Sequence, residues 1–314
     1  QRQMCIRDRL SMGGIRISQQ LLVSRVLFNL RSQTERLQDL QDQLSTQLRV
    51  NRPSDDPLAA RRAINARADT ANNEQYLTNI ANLKVGSQET ESAITTVNQL
   101  VIRAKELALQ SSNGINGPAQ MNAFAVEINQ IIENVFQQSN HVTNGRYIFA
   151  GTHTDNPAFS ATRDANGDIT AVTFDGNDTK INSEVSDGVY ISTNETGQDV
   201  FLSSVSIFQT LIDLRDNLRA NNSGAIQTQL TELDQSRDQL LGAVSRVGAT
   251  QNRLENIDSG LRDLQTQLQD VLSQAIDADY ADVLVHLNAE SNAYQAALNA
   301  GARVIQPSLL DYVR

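Results

Sequence analysis

The stretch IQTQLTELDQSRDQLLGAVSRVGATQNRLENIDSGLRDLQTQL, residues 226–268, places Ile226, Leu233, Leu240, Val247, Leu254, Leu261 and Leu268 seven apart without a miss. The companion positions begin weakly, with Gln229, Ser236, Ala243 and Thr250, and then become Ile257, Leu264 and Val271. An apolar repeat of seven makes a coiled-coil seam, because 3.5 residues per turn keeps one stripe facing a partner helix. Small residues carry the pattern on through Ala275, Ala278, Val285 and Ala289. The spacing therefore predicts one helix from 226 to about 300, on the order of 110 Å long at 1.5 Å per residue.

Working outward, three more stretches repeat in the same way. Near the N-terminus Val23, Leu30, Leu37 and Leu44 share one phase, and Val26 and Leu40 another. Ile80, Leu83, Ile94, Val97, Val101, Ala104 and Ala108 form a further stripe. Met121, Phe124, Ile128, Ile131 and Val135 follow Gly117-Pro118, where proline suits a first helical turn. The five prolines (53, 57, 118, 157 and 307) leave every one of these patterns uninterrupted.

The character changes between about 144 and 205. Asn144-Gly145, Asn166-Gly167, Asp175-Gly176 and Asp187-Gly188 are turn dipeptides. Between them lie short β-prone runs: Tyr147 to Phe149, Ile169 to Phe174, Val189 to Ile191 and Val200 to Leu202. A small β-rich segment thus splits a helical body into two halves that must meet in space. The expected fold is mainly α with an inserted small β domain.

Composition excludes several classes. One cysteine in 314 residues allows neither a disulfide framework nor a thiolate zinc site. A net charge of −10 with only Lys84, Lys105 and Lys180 as lysines argues against a nucleic-acid partner, which would need a basic face. No run approaches the ~20 apolar residues of a membrane span, and no apolar signal core follows Arg2, Arg7 and Arg9.

Little here supports catalysis, a cofactor or a metal. The histidines (His141, His153 and His286) are scattered rather than paired, and no phosphate loop or nucleophile elbow occurs. Asp55 and Asp56 could pair for acid–base work. A helix start explains them better, with Asp56 as cap and Pro57 at the first helical position in the turn Pro53-Ser54-Asp55-Asp56-Pro57. Asp164, Asn166 and Asp168 imitate half a calcium loop, but its terminal glutamate is missing. Asp277, Asp279 and Asp282 continue the helical pattern.

Three sets of motifs carry a resemblance. Arg16-Ile17-Ser18 and the run from Leu44-Ser45-Thr46-Gln47 through Arg49-Val50-Asn51-Arg52 to Pro57 resemble the N-terminal signature of the bacterial flagellin superfamily. Gly248-Ala249-Thr250-Gln251-Asn252-Arg253-Leu254-Glu255 and Asp277-Ala278-Asp279-Tyr280-Ala281 are similar to its C-terminal signature. Within the superfamily, Pro53-Ser54-Asp55-Asp56-Pro57 and Arg146-Tyr147-Ile148-Phe149-Ala150-Gly151-Thr152, followed by Asn156-Pro157-Ala158-Phe159, resemble the hook-associated proteins of the hook–filament junction. The resemblance spans about residues 15–314. Gln47 departs from it, standing where the superfamily has glycine, and favours continuation of the first helix toward Arg49. Residues 1–11, Cys5 included, are expected to be a non-native leader.

The resemblance implies a non-enzymatic structural subunit, exported through the flagellar type III apparatus without a cleaved signal and located outside the cell. It implies terminal helices (15–52 with 280–314) forming an inner polymerisation layer, a helical bundle (57–143 with 206–279) and an outward β-rich segment (144–205). The expected seam comprises Val23, Leu30, Leu37, Leu44, Leu254, Ile257, Leu261, Leu264, Leu268, Val271, Val285, Leu309 and Leu310. Implied partners are further copies in a ring, the hook-side junction protein (the first hook-associated protein), flagellin and a flagellar export chaperone, with no nucleic acid and no membrane. Filament flagellin is the near alternative. A soluble coiled-coil adhesin or sensor stalk is the distant one, and it leaves the paired terminal signatures unexplained.

Overall fold

The computed structural model describes residues 19–112, 116–192 and 194–305. The seam positions Leu309 and Leu310, the Arg16-Ile17-Ser18 motif and the expected leader lie outside the described residues. The chain is mainly helical, with a small β segment in its middle. Its helices are α1 (Gln19–Thr46), α2 (Pro57–Ser112), α3 (Pro118–Ser139), α4 (Gly197–Phe201), α5 (Ile207–Arg219), α6 (Ser223–Ile276) and α7 (Tyr280–Ile305). Two compact units result: the described parts of Gln1–Ala68 with Leu268–Arg314, and Asp69–Gln267.

The larger unit has a continuous apolar core drawn from α2, α3, α5, α6 and the β segment. The seven-spaced positions Ile226, Leu233, Leu240, Val247, Leu254 and Leu261 of α6 are all buried. Its companion positions are not uniform: Gln229, Ser236 and Ala243 are buried, Ile257 is half-buried, and Leu264 and Val271 are exposed. In their place Gln265 and Leu272, one residue later in the repeat, turn inward. A straight helix falls about 20° behind a perfect seven-residue repeat in each heptad, so the inward face migrates along the sequence. The expected seam positions Leu264 and Val271 are therefore exposed in the single chain.

The expected single helix from 226 to about 300 is corrected, since it ends at Ile276 and a new one starts at Tyr280. Asp279 does not continue the helix; its carboxylate accepts the Ala281 amide at 2.9 Å and the Asp282 amide at 3.3 Å, capping α7. An aspartate at a helical spacing can sit in the interior or terminate, and here termination wins because the chain pairs with another segment at this point.

The β segment consists of three antiparallel hairpins that do not join into one sheet. They are β1 (Val142–Thr143) with β2 (Arg146–Tyr147), β3 (Phe159–Arg163) with β4 (Ile169–Phe174), and β5 (Asn182–Ser186) with β6 (Val189–Ser192). Asn144 and Gly145 take φ of 53° and 77°, the positive pair that a two-residue turn needs to follow strand twist. The run Val200 to Leu202 is not a strand: Thr196 caps α4 by accepting the Asp199 amide, and Val200 and Phe201 are buried from it.

Four rings bind the hairpins to the helices. Phe159 lies 5.2 Å from Phe174, 5.4 Å from Phe201 and 5.2 Å from Phe208 between ring centres. Beside them the buried Arg215 of α5 donates to the Ile169 carbonyl (2.7 Å) and to Asn129 Oδ1 (3.1 Å). Asn129 in turn donates to Asp168, which also meets Arg219 at 2.6 Å. A buried guanidinium is tolerable only when its donors are satisfied in this way. The third hairpin packs elsewhere, with Val185 and Ile191 on Ile80, Leu254 and Leu261.

Candidate assembly interface

The smaller unit brings α1 and α7 together. α1 stops at Thr46 because Gln47 adopts φ of 60°, the left-handed conformation that costs an L-residue about 1–2 kcal/mol. The expected continuation of the helix through Gln47 toward Arg49 is therefore corrected. Glycine, which the resemblance implies there, would adopt this backbone freely.

From Gln47 onward the chain is tied to the α6–α7 connection. Leu48 bridges Asp277, the Arg49 amide donates to the Ile276 carbonyl (2.7 Å), and the Ala278 amide donates to the Gln47 carbonyl (3.0 Å). The Arg49 guanidinium reaches the Ala275 carbonyl at 2.8 Å and Asp56 at 3.4 Å. Val50, Ala59, Ala63, Ala275 and Ile276 form a small buried cluster beneath, joined by half-buried Leu48, Ala60 and Leu272.

The turn 51–57 is organised by its two aspartates. Asp55 accepts the amides of Arg52 (2.8 Å) and Asn51 (3.1 Å), and these bonds, led by that from Arg52, hold its pKa below the ordinary 3.8. Asp56 accepts the Ala59 amide at 3.0 Å, caps α2, and is likewise lowered, chiefly by that bond. Pro57 begins α2, and Pro53 is exposed in the turn.

Beyond the joint, α1 and α7 pack along their lengths. Val23, Val26, Leu30, Leu37, Leu40 and Leu44 are all half-buried on α1. On α7 the inward positions are Val283, Leu287, Glu290, Tyr294, Ala297 and Gly301, spaced alternately four and three. Gly301 permits close approach, since a Cβ there would come within 2.8 Å of Val26 Cγ1. Arg36 and Glu290 pair at 2.8 Å.

Val285, expected in the polymerisation seam, is 67% exposed and does not pack in the α1–α7 pair. The break at 277–279 resets the helical phase, so a repeat counted through from Leu268 reaches the face of α7 that is open in the single chain. Leu268 is half-buried in this unit, whereas Leu254, Ile257 and Leu261 belong to the larger one. The pair leaves large apolar side chains open: Phe28 is 72% exposed, and Leu27, Val285 and Leu298 are exposed too.

Sequence reasoning missed the inward residues of α7, which a count restarted at Asp279 would have found. It found Ile80, Ile94, Val101 and Ala108 of the α2 stripe but missed that Ala59, Ala66, Asn73 and Ser87 belong to the same seven-residue repeat, all eight being buried. Among the described residues no group of histidine, cysteine and carboxylate side chains could hold a metal, and no helix is long and apolar enough to cross a membrane.

Paired helices α1 and α7, a locked joint and a helical body carrying mid-chain hairpins are the features to set beside known proteins. Residues 17–154 match the family model of the bacterial flagellin N-terminal helical region. The chain is similar to flagellar hook-associated protein 3 of Salmonella typhimurium, with 25% identity over 90% of this chain and 95% of that protein. The same-named protein of Escherichia coli K12 is 26% identical, covering 82% of this chain and 87% of its own length. Among solved structures, Bacillus cereus FlgL aligns at 26% identity with a TM-score of 0.57, over 67% of this chain and 99% of that one.

Proposed function

We propose that this chain is a structural subunit of the bacterial flagellum that joins hook to filament. It polymerises into a ring through its terminal helices. One observation carries the reading: α1 and α7 pair yet leave Leu27, Phe28, Val285 and Leu298 exposed. Apolar side chains open along a helix pair mark a surface that a further protein covers. The similarity to hook-associated protein 3 relatives along nearly the whole chain supports the junction in particular.

On this reading the terminal helices form an inner layer, the helical body a second, and the hairpins face outward. The seam of α1 and of α7 is the polymerisation element. Its neighbours are other copies, the hook-side junction protein and flagellin, and an export chaperone holds the subunit before type III export.

Electron microscopy of flagella in a deletion strain tests the assignment. Loss of filaments with hooks retained, restored by the full chain but not by one truncated at Asp282, is the expected outcome. Retained junction proteins without filament would point to flagellin instead. Motility restored by the truncated chain would remove α7 from the polymerisation element.

A further inference from the structure

A cleft of about 480 Å³ opens beside the β1–β2 hairpin, lined by Phe136, Tyr147, Asn156, Pro157, Ser160 and Asp175, among others. Its volume falls within the range of small-molecule sites. The walls are held firmly. The Asn140 side chain clamps Phe159 in both directions, donating to its carbonyl and accepting from its amide, each at 2.9 Å. The Asp175 amide is fixed to the Ala158 carbonyl at 2.9 Å, and the phenylalanine cluster lies beneath.

The polar groups of the cleft divide into two kinds. Asn140 is spent on the backbone. The half-buried Tyr147 and the exposed Asn156, Ser160 and Asp175, which form the open rim, have no side-chain hydrogen-bond partner among the described residues. Two half-buried aromatic rings, Phe136 and Tyr147, share the cleft with this phenol, amide, hydroxyl and carboxylate. Asp175 is the one charged group of the lining, so an anionic ligand would be repelled.

We propose that this cleft is a carbohydrate site taking a pyranose ring that is uncharged or bears an amine. The electron-rich ring faces meet the polarised C–H groups of the sugar. The unspent acceptors and donors match its hydroxyl groups, which an apolar peptide could not satisfy. The site is independent of the polymerisation surface, and its occupancy does not depend on the flagellar reading.

Saturation-transfer NMR on the full chain tests it, with glucose, N-acetylglucosamine, glucosamine and glucuronic acid as probes. Saturation transfer to the first three and not to glucuronic acid is expected. Asp175→Asn should weaken binding about tenfold, the loss of one charge-assisted hydrogen bond, with the thermal midpoint unchanged. Tyr147→Ala should abolish it. Should that variant misfold, Asp175→Asn alone decides. No transfer to any sugar, equal transfer to glucuronic acid, or binding indifferent to Asp175→Asn would overturn the proposal. So would capture of an apolar fluorophore with no competition by sugar.

Discussion

The two units solve the problem of burial in opposite ways. The larger unit sinks whole aromatic rings and entire helix faces: Phe149, Phe159, Phe201 and Phe208 are essentially inaccessible, and a buried arginine is hydrogen-bonded beside them. The smaller unit buries five residues in its cluster, and the α1 side of its long helix pair is only half-buried throughout. Two helices alone can shield one stripe each, whereas a core enclosed on all sides needs elements on all sides. The larger unit thus carries its own stability, and the smaller draws on backbone ties at the joint and, on the proposed function, on neighbouring copies.

If that contrast holds, damage to one unit should be read out in that unit. Phe159→Ala empties the centre of the ring cluster and should cost about 3–5 kcal/mol in urea unfolding of the larger unit. Hydrogen exchange along α1 and α7 should stay unchanged, and a parallel loss there would break the comparison. Leu261→Pro removes a helical hydrogen bond and a buried side chain, for about 3 kcal/mol or more. The β3–β4 hairpin, packed at Phe159 and Ile169, should keep its chemical shifts in that variant, while assembly is lost.

A stabilising change should sharpen the contrast from the other side. Gln47→Gly relieves the left-handed backbone at the end of α1 and should stabilise the joint by about 1 kcal/mol. Slower exchange of the Arg49 and Ala278 amides would register it, with no change in the larger unit. The smallest effect concerns acid. Asp55 and Asp56 both have lowered pKa values in the fold, so their contribution is complete above the ordinary 3.8 and is lost as pH falls through the lowered values. The Asn51, Arg52 and Ala59 amides should therefore exchange faster only below about pH 4. Unaltered protection well into acid would show that the carboxylates do not hold the turn.

Much of this was legible in the residues, and the exceptions have physical causes. The seven-spaced stripe of α6 and the start of α2 at Asp56-Pro57 announce themselves through apolar period and capping chemistry. The first part of the α2 repeat, and Ser87 within it, escaped notice because Ala59, Ala66, Asn73 and Ser87 are small or polar, and a search for large apolar residues passes over them. The α6–α7 break was hidden because Asp279 reads as well in a helix as at its start, and only pairing with residues 47–50 decides. Val200 and Phe201 read as strand by intrinsic preference, which burial against the ring cluster overrode. The cleft residues were each visible as turn or aromatic positions, but nothing local brings Phe136, Tyr147 and Asp175 together.

The polar members of the α2 stripe bear on a question that apolar contact cannot answer. Two long helices with uniform repeats could slide past each other by seven residues and lose few contacts. Asn73 breaks that equivalence: its amide donates to the Leu261 carbonyl at 2.9 Å in a buried setting. A slide of one heptad would strand that donor away from water, at a cost of about 1–3 kcal/mol. A single amide thus works as a notch that fixes where along its length α2 meets α6, much as a polar residue fixes alignment in a coiled coil.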